Sequence, residues 1–122
     1  MVRIVVIDDD PDIRETSTLV LNSKGYEVIT ASNPKEGYDT VIDNKPDLII
    51  LDVMMDEPDD GFFLAQKFRR AGVKTPIIMY TSISKTVGMD FGAGDLVPVD
   101  DFVEKPITPH LLISKVEALL KK

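Results

Sequence analysis

Acidic residues follow two apolar runs of this sequence, in positions from which they could act together. Asp8, Asp9 and Asp10 come directly after the run IVVI, and Asp52 comes directly after the run LIIL. If both runs are strands of one parallel sheet, their carboxyl ends meet at the same edge. Carboxylates gathered there at about 4 Å would repel one another by around 4 kcal/mol per pair at an effective dielectric near 20. Such a cluster therefore needs a positive counter-charge.

A divalent cation together with a lysine could supply that charge. Oxygen ligands with no His or Cys nearby favour a hard cation such as Mg²⁺, which often also binds a substrate phosphate. Thr81 follows the apolar run PIIMY, and Lys105 follows the weaker run DFVE. A carboxylate can act as a nucleophile toward a phosphoryl group, while a hydroxyl and an ammonium group suit the phosphoryl oxygens. The four strand ends therefore indicate phosphoryl chemistry that depends on Mg²⁺.

Each of these residues also has an ordinary structural interpretation. Asp10 stands before a proline and suits the N-cap of a helix better than a ligand position. Asp8 and Asp9 could be solvated turn residues, Asp52 could simply end a strand, and Thr81 could be an ordinary strand residue. The joint interpretation is favoured because all four strand ends carry a suitable group in one order.

The elements that must position these residues alternate between strand and helix about five times. Apolar runs predict strands at Ile4–Ile7, Val28–Ile29, Leu48–Leu51, Pro76–Tyr80 and, more weakly, Asp101–Glu104. Three of the first four runs are continuous, which is typical of strands buried on both faces of a parallel sheet. Helical spacing and capping residues predict helices that begin near Asp10, Asn33, Gly61 and Thr108. Short connections and right-handed crossovers then favour an open parallel sheet with helices on both faces.

One segment departs from this alternation. Between Ser84 and Asp101 the chain contains Gly88, Gly92, Gly94 and Pro98. Each glycine costs a helix roughly 1 kcal/mol relative to alanine, and a helix does not continue through a proline. We therefore predict that the fourth helix of this alternation is short or irregular.

The composition limits the class of protein. A chain of 122 residues, with 43% apolar and 29% charged residues, favours one globular domain spanning residues 1–122. A net charge of −7 argues against direct nucleic-acid contact. The sequence has no apolar stretch of bilayer length and no cysteine, and its N-terminus does not resemble a signal peptide. The expected location is the cytoplasm, without membrane contact.

The segments VVIDDDPDIRE, LIILDVMM, PIIMYTS and FVEKP resemble the signature blocks of response-regulator receiver domains of two-component signalling systems. They occur in the same order, at nearly the same spacing, and the resemblance covers essentially the whole chain. It implies a flavodoxin-like, doubly wound five-stranded parallel sheet with strand order 2-1-3-4-5, like that of chemotaxis regulators. Two departures concern the loop after Asp52, which is one residue longer to its glycine, and the segment Ser84–Asp101.

The resemblance also implies a role for each residue of the acidic group. Asp52 would accept a phosphoryl group from a phosphohistidine of a histidine kinase or phosphotransfer protein. Asp9 would bind Mg²⁺ directly and Asp8 chiefly through water. Asp52 itself and the backbone carbonyl of Met54 would complete the protein ligands.

Three further residues would connect phosphorylation to signalling. Thr81 and Lys105 would hold the phosphoryl oxygens, and Phe102 would be the aromatic residue whose rotamer follows the movement of Thr81. The face formed by the fifth strand and its flanking helices would then change. The chain would be a switch rather than an enzyme, and it would control a downstream protein effector or an output domain.

Two other interpretations stay open at this point. A pseudo-receiver would bind partners without being phosphorylated, although such domains lose acidic, acceptor or lysine positions that this sequence keeps. A haloacid-dehalogenase-type phosphohydrolase also uses Asp, Thr, Lys and Mg²⁺, and Asp8-x-Asp10 is similar to its opening motif. That family, however, has Gly-Thr where this chain has Pro11-Asp12, and usually a longer chain.

Overall fold

The computed structural model describes residues 2–52, 60–81, 99–104 and 108–121. Its strands are β1 (Arg3–Ile7), β2 (Glu27–Ala31), β3 (Leu48–Asp52), β4 (Ile77–Thr81) and β5 (Asp101–Glu104). Its helices are α1 (Pro11–Asn22), α2 (Pro34–Asn44), α3 (Asp60–Arg70) and α4 (Pro109–Leu120). In the described ranges, no helix combines the length and the apolar character that crossing a membrane requires.

The five strands form one parallel sheet in the order β2-β1-β3-β4-β5. Ile7 is paired with Ala31 on one side and with Leu51 on the other, and Asp52 is paired with Tyr80. The carboxyl ends of the strands therefore lie along one edge. This confirms the predicted doubly wound, flavodoxin-like sheet and its strand order.

Helices cover both faces of the sheet, which explains why the central strands read as continuous apolar runs. Every residue of β3 is buried. Residues of α2 and α3 pack on one face, where Val41 and Phe68 belong to a cluster with Val5, Ile49 and Ile77. Residues of α1 and α4 pack on the other face, in a cluster that contains Ile4, Val6, Leu21, Ile50, Ile78, Tyr80, Leu112 and Val116.

The predicted caps begin two of these helices. The side chain of Asp10 accepts a hydrogen bond from the backbone N–H of Asp12 at 2.9 Å. The side chain of Asn33 accepts one from the N–H of Glu36 at 2.8 Å, and Glu36 Oε1 accepts one from the N–H of Ser32 at 2.7 Å. These bonds satisfy donors that a helix N-terminus leaves without an intrahelical acceptor. The residues before Pro11 and Pro34 are therefore fixed by local contacts.

The segment 84–100 lies outside the described residues except for its last two, so the prediction of a short or irregular helix there stays a prediction. The predicted strand β5 is confirmed. Asp100, the residue before this strand, holds its start in place through side-chain contacts. Asp100 Oδ2 accepts a hydrogen bond from the N–H of Ile77 at 2.8 Å and lies 3.2 Å from Arg69 Nη2.

Strand β2 is longer than the predicted Val28–Ile29 because it is an edge strand, where polar residues are tolerated.

Candidate functional site

Three carboxylates lie together at the carboxyl edge of the sheet. Asp8 follows β1, Asp9 is next in the chain, and Asp52 is the last residue of the neighbouring strand β3. One oxygen from each lies within 4.8 Å of the others. Asp8 is fully buried, Asp52 is 4% exposed and Asp9 is exposed. The structure thus brings together the three acids that the sequence singled out, and we call them the acidic cluster.

Backbone contacts hold Asp8 in place. Its N–H donates to the carbonyl of Ala31 at 3.1 Å, which continues the pairing of β1 with β2. Its Oδ1 accepts a hydrogen bond from the N–H of Asp10 at 2.9 Å. Its carbonyl accepts one from Arg14 Nη1, in the first turns of α1, at 2.7 Å. The loop from β1 to α1 is therefore fixed from both sides.

Asp10 does not belong to the acidic cluster. Its carboxylate caps α1 through the N–H of Asp12, which confirms the interpretation of Asp10 as an N-cap. Two adjacent acids of the chain thus differ in what their side chains do: Asp9 contributes an oxygen to the cluster, and Asp10 begins the helix.

The charge and donor set of the acidic cluster fit a hard divalent cation. Two carboxylate charges separated by 4.8 Å repel by about 3.5 kcal/mol at an effective dielectric of about 20. A cation among the three acids would remove that repulsion. Carboxylate oxygens are the ligands that Mg²⁺ and Ca²⁺ prefer, whereas zinc and copper sites generally include His or Cys. The acidic cluster could therefore hold a metal ion.

The structure also shows the backbone of two other predicted site residues. Thr81 is the last residue of β4, one position beyond the level of Asp52, and it pairs with Glu104 of β5. Phe102 pairs with Met79 in the same two strands. Lys105 follows Glu104 but lies outside the described residues, as does Met54. The roles of these four residues stay predictions.

Sequence reasoning missed a buried polar contact close to the acidic cluster. Ser17 Oγ of α1 and Tyr80 Oη of β4 lie 3.3 Å apart, and both residues are fully buried. Burial raises the pKa of Tyr80 well above its ordinary value. The hydrogen bond to Ser17 lowers this pKa by less, and the negative charge of Asp8 raises it by a still smaller amount. One signal was available: Ser17 lies four residues after Ile13 and four before Leu21, on the apolar face of α1.

An open parallel sheet in this order, with an acidic cluster at its carboxyl edge, defines a flavodoxin-like α/β domain of the chemotaxis-regulator type. Residues 4–117 match the family model described as the response regulator receiver domain. The chain belongs to the response regulator receiver domain family. It is a receiver domain of the two-component response regulators, which are signalling proteins. The match to this family favours a signalling domain over the phosphohydrolase alternative.

Curated relatives and solved structures agree with the family. The chain is 34% identical to the phosphate regulon transcriptional regulatory protein PhoB of Pseudomonas aeruginosa, over 98% of this chain and 52% of the relative. It is 37% identical to the response regulator MprA of a Mycobacterium species, over 99% of this chain and 51% of the relative. The chain thus spans about half the length of the curated relatives it matches.

Two solved structures have the same fold over nearly the whole chain. A two-component response regulator from Clostridium difficile has a TM-score of 0.88 and 30% identity, with 100% of this chain and 98% of the other covered. The response regulator TrrA from Thermotoga maritima, in complex with Mg²⁺ and BeF, has a TM-score of 0.84 and 32% identity, with 98% and 99% covered. These similarities support the family assignment.

Proposed function

We propose that residues 1–122 form one receiver domain that acts as a phosphorylation switch, with the carboxylate of Asp52 as the phosphoryl acceptor. The observation that carries this proposal is the position of Asp52. It is the last residue of the central strand β3, it is 4% exposed, and one of its oxygens lies within 4.8 Å of oxygens of Asp8 and Asp9. On one side of a nucleophilic carboxylate at that position lie Asp8 and Asp9, which could bind a cation together with it. On the other side lies the end of β4.

The acidic cluster would hold Mg²⁺, with the backbone carbonyl of Met54 as a further ligand. When bound, the ion would neutralise the carboxylates and orient a phosphoryl group, as divalent cations do in phosphoryl transfer. The Thermotoga maritima relative was solved in complex with Mg²⁺ and BeF, and a beryllium fluoride group has the tetrahedral shape of a phosphoryl group. This supports Mg²⁺ as the cofactor here.

In the proposed reaction, an oxygen of Asp52 attacks the phosphorus of a phosphohistidine. The new O–P bond forms as the P–N bond breaks, and the histidine nitrogen keeps the electron pair and takes up a proton. Thr81 and Lys105 would hold the phosphoryl oxygens. The donor would be a histidine kinase or phosphotransfer protein of the cytoplasm, and the domain itself would not be an enzyme.

Phosphorylation would add a charge of about −1.5 to −2 beside the end of β4. Movement of Thr81 toward that charge would let Phe102 turn, and the face formed by β5 and its flanking helices would change. The result is a shift between two populations of the domain. A downstream effector or an output domain would bind one of the two, without nucleic-acid contact by this domain.

Acetyl phosphate and intact-mass spectrometry test the proposal. With Mg²⁺, the wild-type protein should gain one phosphoryl mass, and Asp52→Asn should gain none. Asp39→Asn is the matched control, because Asp39 is exposed on α2 and away from the cluster. It should be labelled like the wild type. A wild-type mass that stays unchanged, under conditions that label another receiver domain, would favour the pseudo-receiver instead.

A further inference from the structure

Within the described ranges, the buried polar or charged residues are Asp8, Asp52 and Ser17. Two of these belong to the acidic cluster. Ser17 is the third, and it lies in an otherwise apolar layer between the sheet and helices α1 and α4. A hydroxyl buried in such a layer is costly unless it is hydrogen-bonded. Tyr80 Oη, 3.3 Å from Ser17 Oγ, is that partner, and we call the two residues the hydroxyl pair.

The strand pairing places Tyr80 beside Asp52 of the acidic cluster. Tyr80 is on β4, whereas α1 packs on β1 and β2, and β3 lies between them. β4 and β1 are two strand spacings of about 4.8 Å apart, and the contact between Tyr80 and Ser17 bridges α1 and β4 across β3. Asp52 pairs with Tyr80 and, by alternation with Ile50, faces the same side of the sheet. Tyr80 and Asp52 are therefore neighbours on the same face of the sheet.

The hydroxyl pair is connected to two members of the acidic cluster, Asp52 and Asp8. Through its backbone, Tyr80 is the register partner of Asp52. Through α1, Ser17 is joined to Arg14, one turn earlier, whose Nη1 donates to the carbonyl of Asp8 at 2.7 Å. A displacement of α1 relative to β4 would therefore change the spacing between Asp8 and Asp52.

We propose that Tyr80 and Ser17 are positioning residues for the divalent cation: their hydrogen bond fixes α1 against β4 and so sets the spacing of the carboxylates in the acidic cluster. This inference rests on the proposed function, because it assigns a cation to that cluster. A purely apolar contact would bury as much surface but would leave the sliding of α1 less restricted, since hydrogen bonds are directional and apolar contacts are not. A tyrosine hydroxyl is protonated at neutral pH, so that it can donate to Ser17 Oγ.

The test is the Mg²⁺ affinity of the folded protein, measured by calorimetry with Mg²⁺ alone. Removing outer partners of metal ligands usually costs 10–100-fold in affinity, and an effect transmitted through a helix should be smaller. We expect Tyr80→Phe to weaken Mg²⁺ binding about three- to tenfold. Ser17→Ala should give the same loss, and the double variant should lose no more than either single one. Tyr38→Phe is the control: Tyr38 packs on the other face, against Phe68, and should keep wild-type affinity.

The contrary result is a loss of stability without a loss of affinity. If Tyr80→Phe and Ser17→Ala lower the unfolding midpoint but bind Mg²⁺ like the wild type, the bond only stabilises the fold and the inference is overturned. If Tyr80→Phe does not fold, Ser17→Ala decides alone. Failure of the proposed function looks different: the wild type would bind Mg²⁺ yet gain no phosphoryl mass. A wild type that binds no Mg²⁺ would overturn the positioning role as well.

Discussion

The backbone N–H of Asp10 donates a hydrogen bond to Oδ1 of Asp8, 2.9 Å away. This bond turns the chain sharply after β1, so that the side chains of consecutive acids go to different places. Asp8 is buried beside Asp52, Asp9 contributes an oxygen to the cluster from the surface, and Asp10 caps α1. Neighbouring residues of one type therefore have separable roles, and substitutions can tell them apart.

Asp9→Ala should weaken Mg²⁺ binding more than Asp10→Ala does. Asp9 supplies one of the three clustered oxygens, whereas the Asp10 carboxylate accepts from the N–H of Asp12. We expect Asp9→Ala to weaken Mg²⁺ binding about tenfold or more. Removing an outer partner of a metal ligand already costs at least that much affinity, and Asp9 would be a ligand itself. Titration calorimetry of both variants measures this. Equal losses would show that the roles of the two acids are assigned wrongly.

Asp10→Ala should lower the free energy of unfolding by about 1 kcal/mol, the usual cost of losing an N-cap. The side chain of Asp10 accepts a hydrogen bond from the backbone N–H of Asp12 in the first turn of α1. Asp10→Asn keeps an acceptor oxygen and should lose only a small part of this. Urea unfolding of the two variants checks the prediction, which does not hold if alanine and asparagine cost the same.

The sequence predicted the strand ends well because they depend on local patterns. Apolar runs buried on both faces are continuous, and a parallel sheet places their carboxyl ends together. Asp8 and Asp52 therefore lie where the runs IVVI and LIIL end. The N-caps Asp10 and Asn33 were predictable for the same reason, since a cap involves only residues within one turn. Thr108 also stands at the N-cap of its helix, as predicted, but its side chain makes no cap hydrogen bond.

Contacts between distant residues were not predictable in this way. Ser17 and Tyr80 are 63 positions apart, and a serine in a helix gives no sign of the tyrosine that it meets. Ile42 follows Tyr38 at helical spacing on α2, yet it is 39% exposed, whereas Tyr38 packs against the core. Ile42 lies in the last turn of α2, beside Lys45 and Val73 at the rim of a surface cavity. Where a helix leaves the sheet depends on tertiary packing, which spacing alone does not give.

Gly37→Ala should destabilise the protein although alanine is the better helix former. A Cβ at this position would lie 2.8 Å from both Cδ1 and Cγ2 of Ile7, a fully buried and β-branched residue. Overpacking typically costs 1–3 kcal/mol, against a gain of roughly 1 kcal/mol in helix propensity. We expect a net loss of up to about 2 kcal/mol in the free energy of unfolding, which urea unfolding measures. In an Ile7→Val background, which lacks Cδ1, the same substitution should cost less, and a stabilising effect of Gly37→Ala would contradict the close packing.

Lys45→Gly should stabilise the protein. Lys45 is the C-cap of α2 and has φ 48° and ψ 62°, a left-handed conformation that costs non-glycine residues roughly 1–2 kcal/mol. Part of that gain is lost to the greater freedom of glycine in the unfolded chain, so we expect an increase of up to about 1 kcal/mol. Ser23→Gly is the control, because the C-cap of α1 has φ −62°. Thermal unfolding should show a higher midpoint than the wild type for Lys45→Gly and not for Ser23→Gly.

The stability of the protein should fall at alkaline pH because of Tyr80. Burial raises the pKa of Tyr80 in the folded state, whereas in the unfolded chain a tyrosine ionises near pH 10. Below about pH 10 both states keep the proton. Above it the unfolded state loses a proton that the folded state retains, so the free energy of unfolding falls by up to about 1.4 kcal/mol per pH unit. Tyr80→Phe removes this contribution while keeping the ring. Urea unfolding of both proteins between about pH 8 and 11 should therefore show a steeper alkaline decline for the wild type, and parallel curves would mean that Tyr80 ionises as easily in the folded protein as in the unfolded chain.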